Sequence, residues 1–215
     1  MMRLIISSAL LVVAIAVGTV LLFFASEQAA DATIEAELAG RKFSYARPYA
    51  RDDATGAGGP STRLSFIVSF PAFAPIETKG RGETLTLTVT PKDEGLDPGD
   101  RPAKLYARFL TPETLEGPGG LVLRHFEEGS PYDSEELFIA PPDGRAFFAR
   151  CPKPKTGAPG EACISFFREG GMDVELRYSP ALLEYWETLY DGARTLLSRM
   201  TTMRKKETLI TTKRR

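Results

Sequence analysis

Few residues in this chain are of a type that does chemistry, and their spacing narrows the choice. Cys151 and Cys163 are the only cysteines, and they flank PKPKTGAPGEA, a Pro/Gly-rich connection between two strand-like runs, RAFFARC and CISFFRE. A disulfide is the chemistry this arrangement predicts. Such a bridge needs an oxidising compartment, and closing a loop of this size stabilises by about 3 kcal/mol in the chain-entropy model.

The one histidine, His125 in LVLRHFEEG, falls on a predicted strand. A lone imidazole and two bridged cysteines do not assemble a usual zinc set, so His125 is expected to be structural. The chain lacks the nucleophile-elbow, metalloprotease, Ser-x-x-Lys and P-loop patterns. No catalytic residue, metal or cofactor is therefore predicted. Two acidic clusters remain, Asp93 and Glu94 with Asp97 and Asp100, and Glu127 and Glu128 with Asp133, Glu135 and Glu136. Either could supply calcium ligands or a carboxylate pair for acid/base work, but neither has EF-hand spacing, and solvated loops and strand ends explain both.

Charge is unevenly placed. Lys and Arg number 27 and Asp and Glu 28, yet residues 25–191 hold 18 basic against 27 acidic side chains, while 192–215 hold 8 against 1. The basic end comprises Arg194 and Arg199 and a tail with Arg204, Lys205, Lys206, Lys213, Arg214 and Arg215. An exported location argues against nucleic acid, which makes anionic lipid or an acidic partner the expected contact. A solvated tail is the plainer expectation.

The elements that must position these residues begin with a span. Residues 4–24 carry no charge over 21 positions, long enough as a helix to cross a core of about 30 Å. Cleaved signal peptides usually have apolar regions of about 7 to 15 residues, so an uncleaved signal anchor is expected. Arg3 precedes the span and acidic residues follow it, which predicts a cytoplasmic N-terminus and a periplasmic main domain. Ala14 and Gly18 form a small-xxx-small pair through which two such helices could dimerise.

Beyond the span the pattern has a two-residue period. Leu64, Phe66, Val68 and Phe70 alternate with polar or outward residues, as do Leu85, Leu87 and Val89 with threonines. Further strands are expected near 33–38, 42–46, 104–110, 120–126, 135–140, 145–151, 163–169 and 172–178. If the cysteines sit opposite each other, paired residue numbers total 314, which aligns Phe147 with Phe167, Phe148 with Phe166 and Arg145 with Glu169. Gly170 and Gly171 suit a two-residue hairpin turn, and that hairpin's pairs total 341, setting Phe167 against Val174 and Arg168 against Asp173.

One sheet face then carries Phe147, Phe167, Val174 and Leu176 as the core. The other carries Phe148, Ile164 and Phe166 among charged residues. Leu182, Leu183, Trp186, Leu189, Tyr190, Ala193, Leu196, Leu197 and Met200 recur at helical spacing. Ser179 followed by Pro180 marks the start of that helix, and Gly192 inside it raises the expectation of a kink. The helix is expected to cover the second face. If it does not, Phe148, Ile164 and Phe166 form a candidate partner surface.

The segments KLYARFLTPE, GGLVLRHFEEGSPYDSEELF, RAFFARC and YSPALLEYW resemble a family of uncharacterised single-pass inner-membrane proteins of alphaproteobacteria, over residues 40–197. The resemblance implies a Gram-negative inner membrane and a periplasmic domain, and no activity. The expected architecture is α+β: a transmembrane helix at 1–24, a juxtamembrane stretch and first strand at 25–40, and a domain at 41–200. That domain is a sheet or sandwich of about eight to ten strands ending in an amphipathic helix near 180–200, and a basic tail at 201–215 follows. The expected function is a membrane-anchored periplasmic accessory or interaction module with an envelope protein as partner. The alternatives are an envelope hydrolase or ligand-binding enzyme using the acidic clusters, and a periplasmic inhibitor or immunity protein.

Overall fold

A computed structural model describes residues 32–76, 82–153 and 162–202 of the protein. The span at 4–24, with Ala14 and Gly18, lies outside them, as does the tail with Arg204, Lys205, Lys206, Lys213, Arg214 and Arg215. No helix among the described residues is long and apolar enough to cross a membrane.

Two sheets form the domain. Strands β1 (Thr33–Leu38) and β2 (Arg41–Ala46) make a hairpin, and β3 (Gly59–Ser61) adds parallel to β1. The hairpin turn, Ala39 and Gly40, has φ of 50° and 75°, the backbone that two-residue turns require. The second sheet has eight strands in the order β4-β5-β11-β10-β9-β8-β7-β6, all antiparallel. These are β4 (Leu64–Ser69), β5 (Thr84–Pro91), β6 (Leu115–Glu116), β7 (Val122–His125), β8 (Glu135–Ile139), β9 (Phe148–Pro152), β10 (Cys163–Glu169) and β11 (Met172–Tyr178).

The cysteine-derived register holds. Cys151 and Cys163 are bridged, and β9 meets β10 with Ile164 opposite Arg150 and Ser165 opposite Ala149. β10 and β11 pair from Cys163 with Tyr178 to Glu169 with Met172. Arg168 and Asp173, set opposite by this register, form an ion pair at 2.7 Å. Arg145 and Glu169 do not pair. β9 begins only at Phe148, so Arg145 lies ahead of the ladder and bonds Asp100 instead, while Glu169 holds Arg194 at 2.6 Å.

Alternating apolar residues on β4, β5, β10 and β11 point to one face, where they join Ala36, Leu38, Phe43 and Tyr45 of the small sheet in one buried core. The C-terminal helix closes that same face through Leu182, Leu183, Leu189, Ala193, Leu196, Leu197 and Met200. Ser179 caps it as expected, accepting from the Ala181 N–H, but the first turns, Pro180–Tyr185, are 3₁₀ and the α-helix proper, which we label α2, is Trp186–Thr202. Gly192 does not break it. A Cβ there would lie 2.0 Å from Cε2 of Phe73, so the glycine admits a ring rather than a kink. Helix α1 (Asp53–Ala57) sits beside the β4 edge, where the Ser65 N–H donates to Oγ1 of Thr55 at 2.9 Å.

The expected strand at 104–110 is helical instead. Pro98 and Pro102 open successive short helical segments, Pro98–Asp100 and Pro102–Tyr106, followed by Ala107–Phe109. Proline presets the helical φ and cannot donate to a ladder, and Leu105, Tyr106, Phe109 and Leu110 follow helical and not strand spacing. This segment, and not α2, covers the second face of the sheet.

Candidate interaction surface

The second face decides the fate of Phe148, Ile164 and Phe166. Phe148 is 1% exposed, buried with Tyr106, Phe126 and Leu137 in a satellite core. It is therefore no part of a partner surface, because residues 98–109 occupy the place left by α2. Ile164 and Phe166 stay half-buried, with the Arg101 guanidinium 4.3 Å from the centre of the Phe166 ring. Arg150 clamps the cover. Its guanidinium lies 5.4 Å from the Tyr106 ring and 5.0 Å from the Tyr132 ring while donating to Glu135 at 2.9 Å. Stacked and ion-paired at once, it holds residues 98–109 onto the sheet. Burial pushes the Tyr106 hydroxyl above its ordinary pKa.

Part of each acidic cluster is consumed by the fold, while Glu127 and Glu128 stay exposed and in no salt bridge among the described residues. Arg168 on β10 bonds Asp97 at 3.0 Å, Asp173 at 2.7 Å and the Asp93 carbonyl at 2.9 Å. Hydrogen bonding to Asp173 raises the Arg168 pKa. Asp100 accepts from Lys104 at 2.8 Å and from Arg145, and these partners hold its carboxyl below the usual range, Lys104 foremost. Glu135 holds Arg150, and Glu136 lies 3.5 Å from Nδ1 of His125. Asp52 is also lowered, chiefly by the Thr55 backbone N–H that it caps. Both shifted carboxyls thus move in the direction of structural ion pairs, away from that of a group poised to donate a proton. No group of three or more ligating side chains suited to a metal occurs among the described residues.

A third surface escaped the sequence reading. Glu184, Glu187 and Asp191 recur along the outer side of the C-terminal helix, all exposed, and none is in a salt bridge among the described residues. Tyr185 lies among them and is 53% exposed, more so than Leu115, the other exposed large apolar side chain among the described residues. Its ring rests 6.0 Å from that of Phe70. Beside it an open groove of about 450 Å³ runs between residues 71–73 and α2, lined by Glu187, Thr188, Asp191 and Thr195, with Arg199 at its far end.

The groove wall is built at a conformational cost. Phe73 adopts φ of 51°, a region that disfavours residues with a Cβ. Its ring is buried and packs on Gly192, and a mid-helix glycine is itself unfavourable by about 1 kcal/mol. Two local penalties thus meet in one contact. At the start of the same helix, Trp186 donates to the Gly119 carbonyl at 3.0 Å and its ring lies 5.0 Å from that of Phe147, tilted by 32°, which fixes the helix start on the sheet.

No protein-family model and no curated protein matches the chain. Among solved structures it is similar to Smlt3025, an immunity protein of the Stenotrophomonas maltophilia type IV secretion system. The two share 16% identity and a TM-score of 0.58, over 79% of this chain and 93% of that one. It is also similar to FrpD, an iron-regulated outer membrane lipoprotein of Neisseria meningitidis, at 8% identity and a TM-score of 0.49, over 80% and 94% of the respective chains. The first likeness shows a shared fold.

Proposed function

We propose that the chain is a protein-binding module of the bacterial envelope, tethered by its N-terminal segment and displaying the disulfide-bonded domain in the periplasm. The observation that carries this reading is the disposition of the acidic residues. Asp97, Asp100, Asp173 and Glu135 are engaged by Arg168, Arg145, Lys104 and Arg150, while Glu184, Glu187 and Asp191 on the C-terminal helix stay exposed, without a salt bridge among the described residues, beside an exposed tyrosine. Binding uses such a surface as it stands; acid/base chemistry needs converging carboxylates. The Cys151–Cys163 bridge supports an oxidising compartment, in keeping with the orientation expected from the flanks of the span and with the alphaproteobacterial resemblance.

A narrower reading, an inhibitor or immunity protein that blocks a toxin in the periplasm, is favoured by the fold shared with Smlt3025. It is the same module with a particular partner. The test is in vivo crosslinking and pull-down of the full-length protein, beside an unrelated anchored protein and a variant lacking residues 201–215. The expected result is one protein enriched by both forms of this chain. Enrichment no greater than with the unrelated control would overturn the protein-binding reading.

A further inference from the structure

We infer that the groove between residues 71–73 and α2, with the exposed Tyr185 on the turn that precedes α2, is the docking surface for a basic segment of the partner protein. This rests on the protein-binding reading and adds where the partner sits and what chemistry it presents.

Three independent observations converge there. Glu184, Glu187 and Asp191 form an exposed acidic row with no salt bridge among the described residues, whereas Asp97, Asp100, Asp173 and Glu135 are all taken up internally. The unpaired row is thus available to lysines and arginines from outside. Tyr185 offers an accessible ring, supported from behind by Phe70, and an aromatic face amid carboxylates is a favourable seat for a guanidinium or ammonium group. The groove itself is an open cleft of about 450 Å³ walled by Phe73, whose ring lies against Gly192.

The occupant follows from charge. The described residues, with Arg194 and Arg199 of α2 included, carry 23 acidic against 17 basic side chains, so a basic partner is drawn to this domain before contact. Arg199 at the far end of the groove repels that segment and confines it to the stretch between Tyr185 and Asp191.

The test places a photoreactive amino acid at Thr188, in the groove, or at Thr86, on the other side of the sheet, in the full-length protein in its own cells. Carbodiimide coupling followed by mass spectrometry then identifies which lysines reach Glu187 and Asp191. The expected result is an adduct from position 188 and not from 86, and isopeptide bonds from Glu187 or Asp191 to lysines of the trapped protein. Glu187→Lys with Asp191→Lys should reduce the adduct at least tenfold while leaving the melting temperature unchanged. A partner trapped from position 86 only, or an adduct indifferent to the charge reversal, overturns the docking surface and leaves the protein-binding reading standing. Coupling to Lys205, Lys206 or Lys213 of the same chain would assign the groove to the chain's own tail and overturn the partner assignment. No adduct from either position, together with failure of the pull-down, removes both.

Discussion

Two acidic regions of this protein are built from the same residue types and put to opposite uses. In residues 93–100 the carboxylates Asp97 and Asp100 face Arg168, Arg145 and Lys104 and are neutralised within the domain. Along residues 184–191, Glu184, Glu187 and Asp191 face solvent. The difference lies in what the sheet places nearby. Arg168 points from β10 toward the loop at 93–97, and Arg145 lies just ahead of β9, against Asp100. The helix instead turns its apolar stripe to the core, which leaves its outer row with no strand to supply a cation. An acidic cluster in sequence therefore says little until the register of the neighbouring strands is known.

Several perturbations can break or sharpen this contrast. The largest effect is expected from the bridge in the sheet that supports both regions. Cys151→Ser with Cys163→Ser should lower the unfolding free energy by about 3 kcal/mol in urea denaturation, and the non-reduced wild type should show no alkylatable thiol by mass spectrometry. Next is Arg168→Met. It leaves Asp173, a largely buried carboxylate, without its guanidinium, and a loss of about 2 kcal/mol is expected by the same measurement.

Gly192→Ala should follow at about 1–2 kcal/mol, because the added methyl displaces Phe73 and the gain in helix propensity offsets only part of that clash. A proteolysis pattern with new cleavage at residues 71–73 would identify the displaced wall.

The smallest effect concerns acid. Asp52 has a lowered folded-state pKa, held chiefly by the Thr55 N–H. Its contribution is complete above the unfolded value of about 4 and is lost as pH falls through the lowered folded value. Asp52→Ala should therefore cost about 1 kcal/mol at neutral pH and flatten the acid limb of the stability profile, read as melting temperature between pH 2 and 7.

Much of the fold was legible because strand alternation, two cysteines and a Gly-Gly turn over-determine one register. The pairing totals of 314 and 341 recur in the ladders of β9, β10 and β11. Expecting a strand at 104–110 was an error, because Leu105, Tyr106, Phe109 and Leu110 follow the helical period and not strand alternation, and the prolines that start these turns, Pro98 and Pro102, lie just before it. That error carried over to Phe148, since covering the second face was assigned to the only helix in view.

The candidate site was illegible for another reason. Tyr185, Glu184 and Asp191 become a surface only when α2 is laid on the core face and Phe70 is brought beside it by the chain leaving β4. Sequence proximity marked Asp97, Asp100 and Glu135, which the fold pairs with cations, and it takes the packed helix to bring Tyr185 beside Phe70.

The most direct test compares the two regions in one measurement, urea unfolding of two neutralised variants of the full chain. One carries Asp97→Asn with Asp173→Asn, the other Glu184→Gln, Glu187→Gln and Asp191→Asn. Removing the ligands of Arg168 is expected to lower stability by about 2 kcal/mol, whereas neutralising the helix row should change it by no more than about 0.5 kcal/mol. Equal losses in both variants, or the larger loss in the helix variant, would show that the outer row also holds the fold and would contradict its assignment to a partner.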